Sequence, residues 1–238
     1  MHPNNLPSFP QVKICGLTRP DEASACADLG ADAIGLIFYS KSPRHLAADQ
    51  ARAVVNALPR TVAAVGVFVN ATYTFIMERV TRCGLSMVQL HGQEPPELTD
   101  RLKRRGVGVI KALFVDGSPN FSEAHRYRTD AFLVECARGP LPGGNAMAWN
   151  WAAARELGQA APLVLAGGLS PVNVCDAVRA ALPAAVDVSS GVETSPGHKD
   201  LAKVAQLIEA VRQTAFNYAA IPPRPAFIAG EPIADERA

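Results

Sequence analysis

Short runs of apolar, β-prone residues recur along the chain, each followed by a longer stretch in which apolar residues return every three or four positions. The runs are Val12–Cys15, Ala33–Phe38, Val62–Val69, Met87–His91, Val109–Phe114, Ala131–Glu135, Leu163–Ala166 and Val186–Ser189. Their length and content predict eight strands, and the periodicity between them predicts helices. Several of these helices carry punctuation. Thr18 and Ser170 stand just before Pro20 and Pro171, the pattern of an N-cap region followed by a first-turn proline. Asn70 is placed to cap the helix that runs through Cys83, and Gly84 and Gly30 are placed to end helices in the left-handed conformation.

Strands that alternate one for one with helices must pair in parallel, because parallel neighbours need a crossover between them. Eight such units fill residues 11–213 evenly, with no break in composition. They predict one α/β domain closed as a single (β/α)8 TIM barrel, in preference to an open doubly wound sheet. Residues 214–238 read differently. Ile221-Pro-Pro-Arg-Pro225 and Glu231-Pro-Ile-Ala-Asp-Glu236 predict an irregular C-terminal tail.

Composition narrows the function classes. The hydrophobic fraction of 48% and charged fraction of 19% are those of a soluble globular protein. Lys plus Arg (23) balances Asp plus Glu (22) and no basic stripe appears, which argues against nucleic acid or an anionic membrane as partner. A small anionic ligand needs only a few local donors and stays open. No apolar run reaches the roughly 18 residues of a membrane span, and Met1–Pro10 lacks the basic and apolar regions of a secretory signal. The five cysteines are scattered without CxxC pairs, so reduced thiols in the cytoplasm are expected rather than disulfides or a zinc site.

In a barrel of this kind reactive groups stand at the C-terminal ends of strands or in the loops that follow. Cys15 ends the first strand, Arg44 lies in the loop after the second, Gln89 and His91 end the fourth, and Glu135 ends the sixth. Gly167-Gly168 follow the seventh, and Asp187, Ser189, Ser190 and Gly191 finish the eighth. Strand alternation puts Lys13 with Cys15, Gln89 with His91, and Asp187 with Ser189 on common faces. The glycine pair and Ser190-Gly191 let backbone N–H groups approach an anion, on the two loops where barrels of this type hold phosphate. Taken singly, most of these residues have plainer readings. Cys15 would be a buried structural thiol, as Cys26, Cys83 and Cys175 in helical patterns are. His91 would be a packed histidine, Arg44 a solvated loop charge, and Gly-Gly a tight turn. Glu135 and Asp187 are harder to dismiss, because each sits in an otherwise apolar strand where an unpaired carboxylate is costly.

Together the segments Val12–Thr18, Ser42–Leu46, Val65–Asn70, Val88–Gly92, Leu165–Asn173 and Val186–Lys199 resemble the phosphoribosylanthranilate isomerase family. The runs KICGLT, VQLHG and VDVSSGVE followed by PG-x-KD carry the resemblance, which spans about residues 11–213. It implies a ribulose-phosphate-binding barrel that performs an Amadori rearrangement of N-(5-phosphoribosyl)anthranilate in tryptophan biosynthesis. It further implies a phosphorylated small molecule as the only partner, no metal or organic cofactor, and a monomer or homodimer. A strand-six acid would protonate the furanose oxygen and open the ring to an iminium. The strand-one cysteine, Cys15, would then remove the proton from the second sugar carbon. A free thiol is only a few per cent ionised at pH 7, so the site is expected to lower the Cys15 pKa or to align the thiolate well. Arg44 would take the anthranilate carboxylate, whose geometry suits a planar fork. His91 and Asp187 would contact substrate, and Gly167, Gly168, Ser190 and Gly191 its phosphate.

One position departs from the family pattern. The strand-six acid is ordinarily aspartate, followed by a loop ending Gly-Gly-Thr-Gly and a Phe-Asp-Trp. Here Glu135 stands at the acid position, the loop reads Cys136-Ala-Arg-Gly-Pro-Leu-Pro-Gly-Gly-Asn-Ala146, and Trp149-Asn-Trp151 follows. This pattern predicts a repacked sixth unit around a longer acid. Two other readings remain at this level. One is the histidine-pathway isomerase of the same reaction type, which uses a carboxylate where this chain has Cys15. The other is a phosphate-ligand binding protein that has lost catalysis.

Overall fold

Each strand of the barrel is hydrogen-bonded in parallel to the next one in sequence, and β1 closes the ring by pairing with β8. The computed structural model describes residues 10–136, 149–214 and 224–230. The strands are β1 Gln11–Cys15, β2 Ala33–Ile37, β3 Ala63–Phe68, β4 Met87–Leu90, β5 Gly108–Phe114, β6 Ala131–Glu135, β7 Leu163–Leu165 and β8 Ala185–Val188. They match the expected strands to within one residue at either end. The helices are α1 Pro20–Asp28, α2 Ala48–Asn56, α3 Tyr73–Cys83, α4 Pro96–Arg104, α5 Arg155–Ala160, α6 Val174–Ala181 and α7 Leu201–Arg212.

Seven α-helices, not eight, are found among the described residues. Between β5 and β6 the chain makes only a 3-10 turn, Phe121–Arg126, capped by Asn120. Its segment is short and polar, with no second turn's worth of apolar residues to bury against the sheet. A second 3-10 turn, Trp151–Ala154, leads into α5, and residues 137–148, which hold most of the sixth loop, lie outside the described residues.

The cap expectations divide. Gly84 ends α3 at φ 73° and Gly30 follows α1 at φ 105°, both left-handed as expected. Asn70, however, does not cap α3. Thr72 does, accepting from the backbone N–H of Phe75, while Asn70 turns the chain at φ 52° and accepts from Gln93 N. Thr18 and Ser170 are not side-chain caps either. Arg19 and Asn173 occupy the N-cap positions, and the Thr18 hydroxyl donates to the Gly197 carbonyl. A cap is chosen by where the first turn closes, which one or two residues of slack decide.

Strand alternation gives two cores. Val12, Ile14, Ile34, Leu36, Val88 and Leu90 are among the outward residues that pack against helices. Ala33, Val65, Met87, Ile110, Leu133 and Val164 fill the barrel interior. Of the tail, residues 224–230 are described, and they dock under the barrel with Ala226 and Phe227 buried in the interior cluster. Gln11 holds them there: its Oε1 accepts from Ala226 N and Phe227 N, and its Nε2 donates to Phe227 O. The small residues Ala33, Ala63, Ala131 and Ala185 leave the space that the phenyl ring fills.

Candidate active site

Side chains from four strands and the loop after β2 meet at the C-terminal mouth of the barrel. Cys15, Arg44, Gln89, His91, Glu135 and Asp187 line one pocket, with Gly167, Gly168, Ser190 and Gly191 on its far wall. The sequence reading therefore gathers into a single site. Its polar members are buried, so each charge needs a partner.

At the β1–β8 seam Lys13 lies opposite Asp187 in register, and its Nζ is 2.8 Å from Asp187 Oδ2. Burial works against the ammonium charge, but Asp187 and Cys15 outweigh it and hold the Lys13 pKa above the ordinary value. Asp187 Oδ1 is buried and has no hydrogen-bond partner among the described residues, so a substrate hydroxyl or N–H is its expected donor.

Cys15 sits beside this pair. Burial pushes its thiol above the usual range, and the Lys13 ammonium only partly opposes that rise. This corrects the expectation of a lowered value in the free protein. The neighbouring position in β2 is Gly35, where a Cβ would come within 2.6 Å of the Cys15 sulfur. A glycine inside an apolar strand is a legible signal of such close approach, and the sequence reading passed over it.

Arg44 is not a free loop cation. Its Nε and Nη2 fork the two carboxylate oxygens of Glu193, at 2.8 and 2.6 Å. Lys199 adds a third bond to Glu193 Oε1 at 2.7 Å. Burial opposes the Glu193 charge, but Arg44 and Lys199 override it and hold the Glu193 carboxyl below the usual range. Glu193 and Lys199 belong to the VDVSSGVE and PG-x-KD runs, yet nothing in those runs marks either one for an individual role. They lie on β9 Glu193–Ser195 and β10 His198–Lys199, a small hairpin after β8.

Glu135 ends β6 with Oε1 2.8 Å from His91 Nε2, and His91 Nδ1 is 2.9 Å from Gln89 Nε2. Glu135 and Asp187 thus have separate partners, His91 and Lys13. Trp149 Nε1 donates to Ala166 O at 2.9 Å, pinning the chain after the sixth loop to the end of β7. The expected repacking of that loop itself lies outside the described residues.

The loops after β7 and β8 meet through glycine backbone. Gly167 and Gly168 have φ of 85° and 68°. At Gly191 a Cβ would meet the Leu169 carbonyl oxygen at 1.9 Å, so the two loops approach as closely as only glycine permits. Asn173 fastens the seventh loop, accepting from Ser170 N and donating to Gly168 O.

A closed eight-stranded parallel barrel with glycine-lined loops after β7 and β8, and a thiol and a carboxyl group at its mouth, has the make-up of a (β/α)8 enzyme. The family model for N-(5'phosphoribosyl)anthranilate (PRA) isomerase matches residues 12–210, and the chain belongs to that family. The N-(5'-phosphoribosyl)anthranilate isomerase of Desulfatibacillum aliphaticivorans is 54% identical over 208 residues, covering 87% of this chain and 95% of the relative. The crystal structure of phosphoribosyl anthranilate isomerase from Thermotoga maritima superposes with a TM-score of 0.80 at 37% identity, covering 86% of this chain and 100% of that one. A structure of the same enzyme in complex with reduced 1-(o-carboxyphenylamino)-1-deoxyribulose 5-phosphate gives a TM-score of 0.77 at 36% identity, with 86% and 100% covered. No helix among the described residues is long and apolar enough to cross a membrane.

Proposed function

We propose that this chain catalyses the Amadori rearrangement of N-(5-phosphoribosyl)anthranilate to 1-(2-carboxyphenylamino)-1-deoxyribulose 5-phosphate, a step of L-tryptophan biosynthesis in the cytoplasm. The observation that carries this reading is the sharing of one pocket by Cys15, Glu135 and the glycine cradle. The cradle holds the phosphate, and the pocket then puts the sugar between thiol and carboxyl.

Glu135 is the acid. Its proton passes to the furanose oxygen as the bond from that oxygen to the first carbon breaks and the nitrogen lone pair forms the iminium. The iminium is itself the electron sink, so the rearrangement needs no external oxidant. Cys15 takes the proton from the second carbon to give an enolamine. Ketonisation returns a proton to the first carbon and releases one from the hydroxyl on the second carbon, which restores Glu135. The order matters, because Cys15 is a poor base in the empty pocket, where burial keeps its thiol neutral. A cation formed next to it by ring opening favours the thiolate, whose proton leaves to solvent and is balanced by the one that the first carbon takes up at ketonisation. Asp187 Oδ1 is available to a substrate hydroxyl, and Arg44 to the anthranilate carboxylate. The test is turnover of N-(5-phosphoribosyl)anthranilate by the purified protein, followed as loss of its fluorescence. Folded protein without turnover would leave phosphate-ligand binding without catalysis as the better reading.

A further inference from the structure

Gln89, His91 and Glu135 form a buried hydrogen-bonded chain at the mouth of the barrel. All three are buried, at 1%, 5% and 5% exposure. The ring of Phe114 meets the imidazole edge to face, 5.7 Å between centroids at 88°, and fixes its plane. Gln89 faces His91 Nδ1 with its amide nitrogen at 2.9 Å. An amide nitrogen only donates, so Nδ1 accepts, and a neutral imidazole that accepts at Nδ1 carries its proton on Nε2. That N–H donates to Glu135 Oε1 at 2.8 Å. Turning the amide over would satisfy Gln89 Oε1, which is buried and unpartnered among the described residues, but would strand the amide donors instead.

We propose that Gln89 sets the tautomer of His91, and that His91 thereby holds Glu135 as an oriented acid, with Oε1 accepting and Oε2 presenting the transferable proton to the substrate. Both are positioning residues. This inference rests on the reading of Glu135 as the ring-opening acid and deepens it, and it replaces the substrate-contact role expected for His91. In the opposite tautomer Nε2 would be an acceptor and would capture the Glu135 proton, aiming it away from the furanose oxygen. In the proposed one Nε2–H keeps its bond through the cycle: it supports the acid before transfer and the carboxylate after it. The proton lost from Oε2 to the ring oxygen is regained when the enolamine ketonises.

The test is a set of kinetic variants with Glu135→Gln run alongside. His91→Ala removes the donor and should lower kcat by about 30-fold, short of the roughly 100-fold or more for an acid lost outright because Glu135 is still present, with KM changed by less than about threefold. His91→Gln offers a donor near the Nε2 position and has no tautomers, so kcat should return to within about fivefold of wild type. Gln89→Leu should lower kcat by about tenfold in the wild-type background and by less than about twofold in His91→Gln. A Gln89→Leu loss of equal size in both backgrounds would overturn the proposal, as would a His91→Gln enzyme no better than His91→Ala. Nitrogen-15 NMR of the imidazole reads the tautomer without relying on these variants. Nε2 should carry the proton in the wild type, and an Nδ1-protonated or evenly mixed ring would overturn the proposal. A Glu135→Gln enzyme with near-wild-type turnover would instead remove the acid reading on which the chain depends.

Discussion

Arg44 and Glu193 form a two-pronged ion pair at the rim of the pocket, with Arg44 only 6% exposed. Nε and one N–H of Nη2 are committed to Glu193, and on the proposed function the Nη1–Nη2 edge takes the ligand carboxylate. Arg44→Ala should weaken anthranilate-bearing ligands by about 1.5–3 kcal/mol, the range for a charged hydrogen bond. Ribulose 5-phosphate, which lacks the aromatic carboxylate, should bind almost unchanged. Calorimetric titration of both ligands separates the cases, and equal losses would assign Arg44 to the phosphate or to the fold.

Cys15 offers a pH-dependent readout. Burial raises its pKa, so the thiolate is fully present only above the raised value and is lost as pH falls through it. Alkylation of Cys15 by iodoacetamide in the ligand-free protein, followed on its peptide by mass spectrometry, should therefore inflect above the free-thiol value of about 8.5. An inflection below that value would show a pre-ionised cysteine and remove the need for the iminium to activate it.

The docked tail should contribute stability without contributing chemistry. Phe227 is 3% exposed beneath the barrel, at the end remote from the pocket. Phe227→Ala should cost about 2 kcal/mol, below the usual cost for a core phenylalanine because the tail can undock. That corresponds to a fall of about 4–8 °C in Tm for a domain of this size. Gln11→Ala should add little to it, since both act through the same docked segment. An unchanged melt, or fully additive losses, would show that the segment does not clamp the barrel.

Much of this site was legible before the structure. The barrel followed from eight evenly spaced strands, and strand ends then nominated Cys15, His91, Glu135 and Asp187, of which Glu135 and Asp187 stood out because an unpaired carboxylate in an apolar strand is costly. What stayed hidden were the pairings. Lys13 with Asp187 and Arg44 with Glu193 join residues 174 and 149 positions apart, and no local pattern encodes which charge answers which. The helix caps were misassigned for the opposite reason: several polar residues near each start could serve, and local closure of the first turn chose among them. The docking of Phe227 was hidden because its proline-rich surroundings read as an irregular tail, and backbone without a periodic pattern can still bury a ring.

The central claim is that Glu135 replaces the family's aspartate as the ring-opening acid. The measurement that tests it most directly is steady-state turnover of N-(5-phosphoribosyl)anthranilate by Glu135→Gln, with folding checked by circular dichroism. The amide keeps the shape of the side chain but has no transferable proton, so turnover should fall by about 100-fold or more. Glu135→Asp in the same assay asks whether the site is built for the longer acid; it should also lose activity, since a displacement of about 1 Å can cost about 100-fold. A folded Glu135→Gln enzyme that turns over substrate at near the wild-type rate would contradict the account.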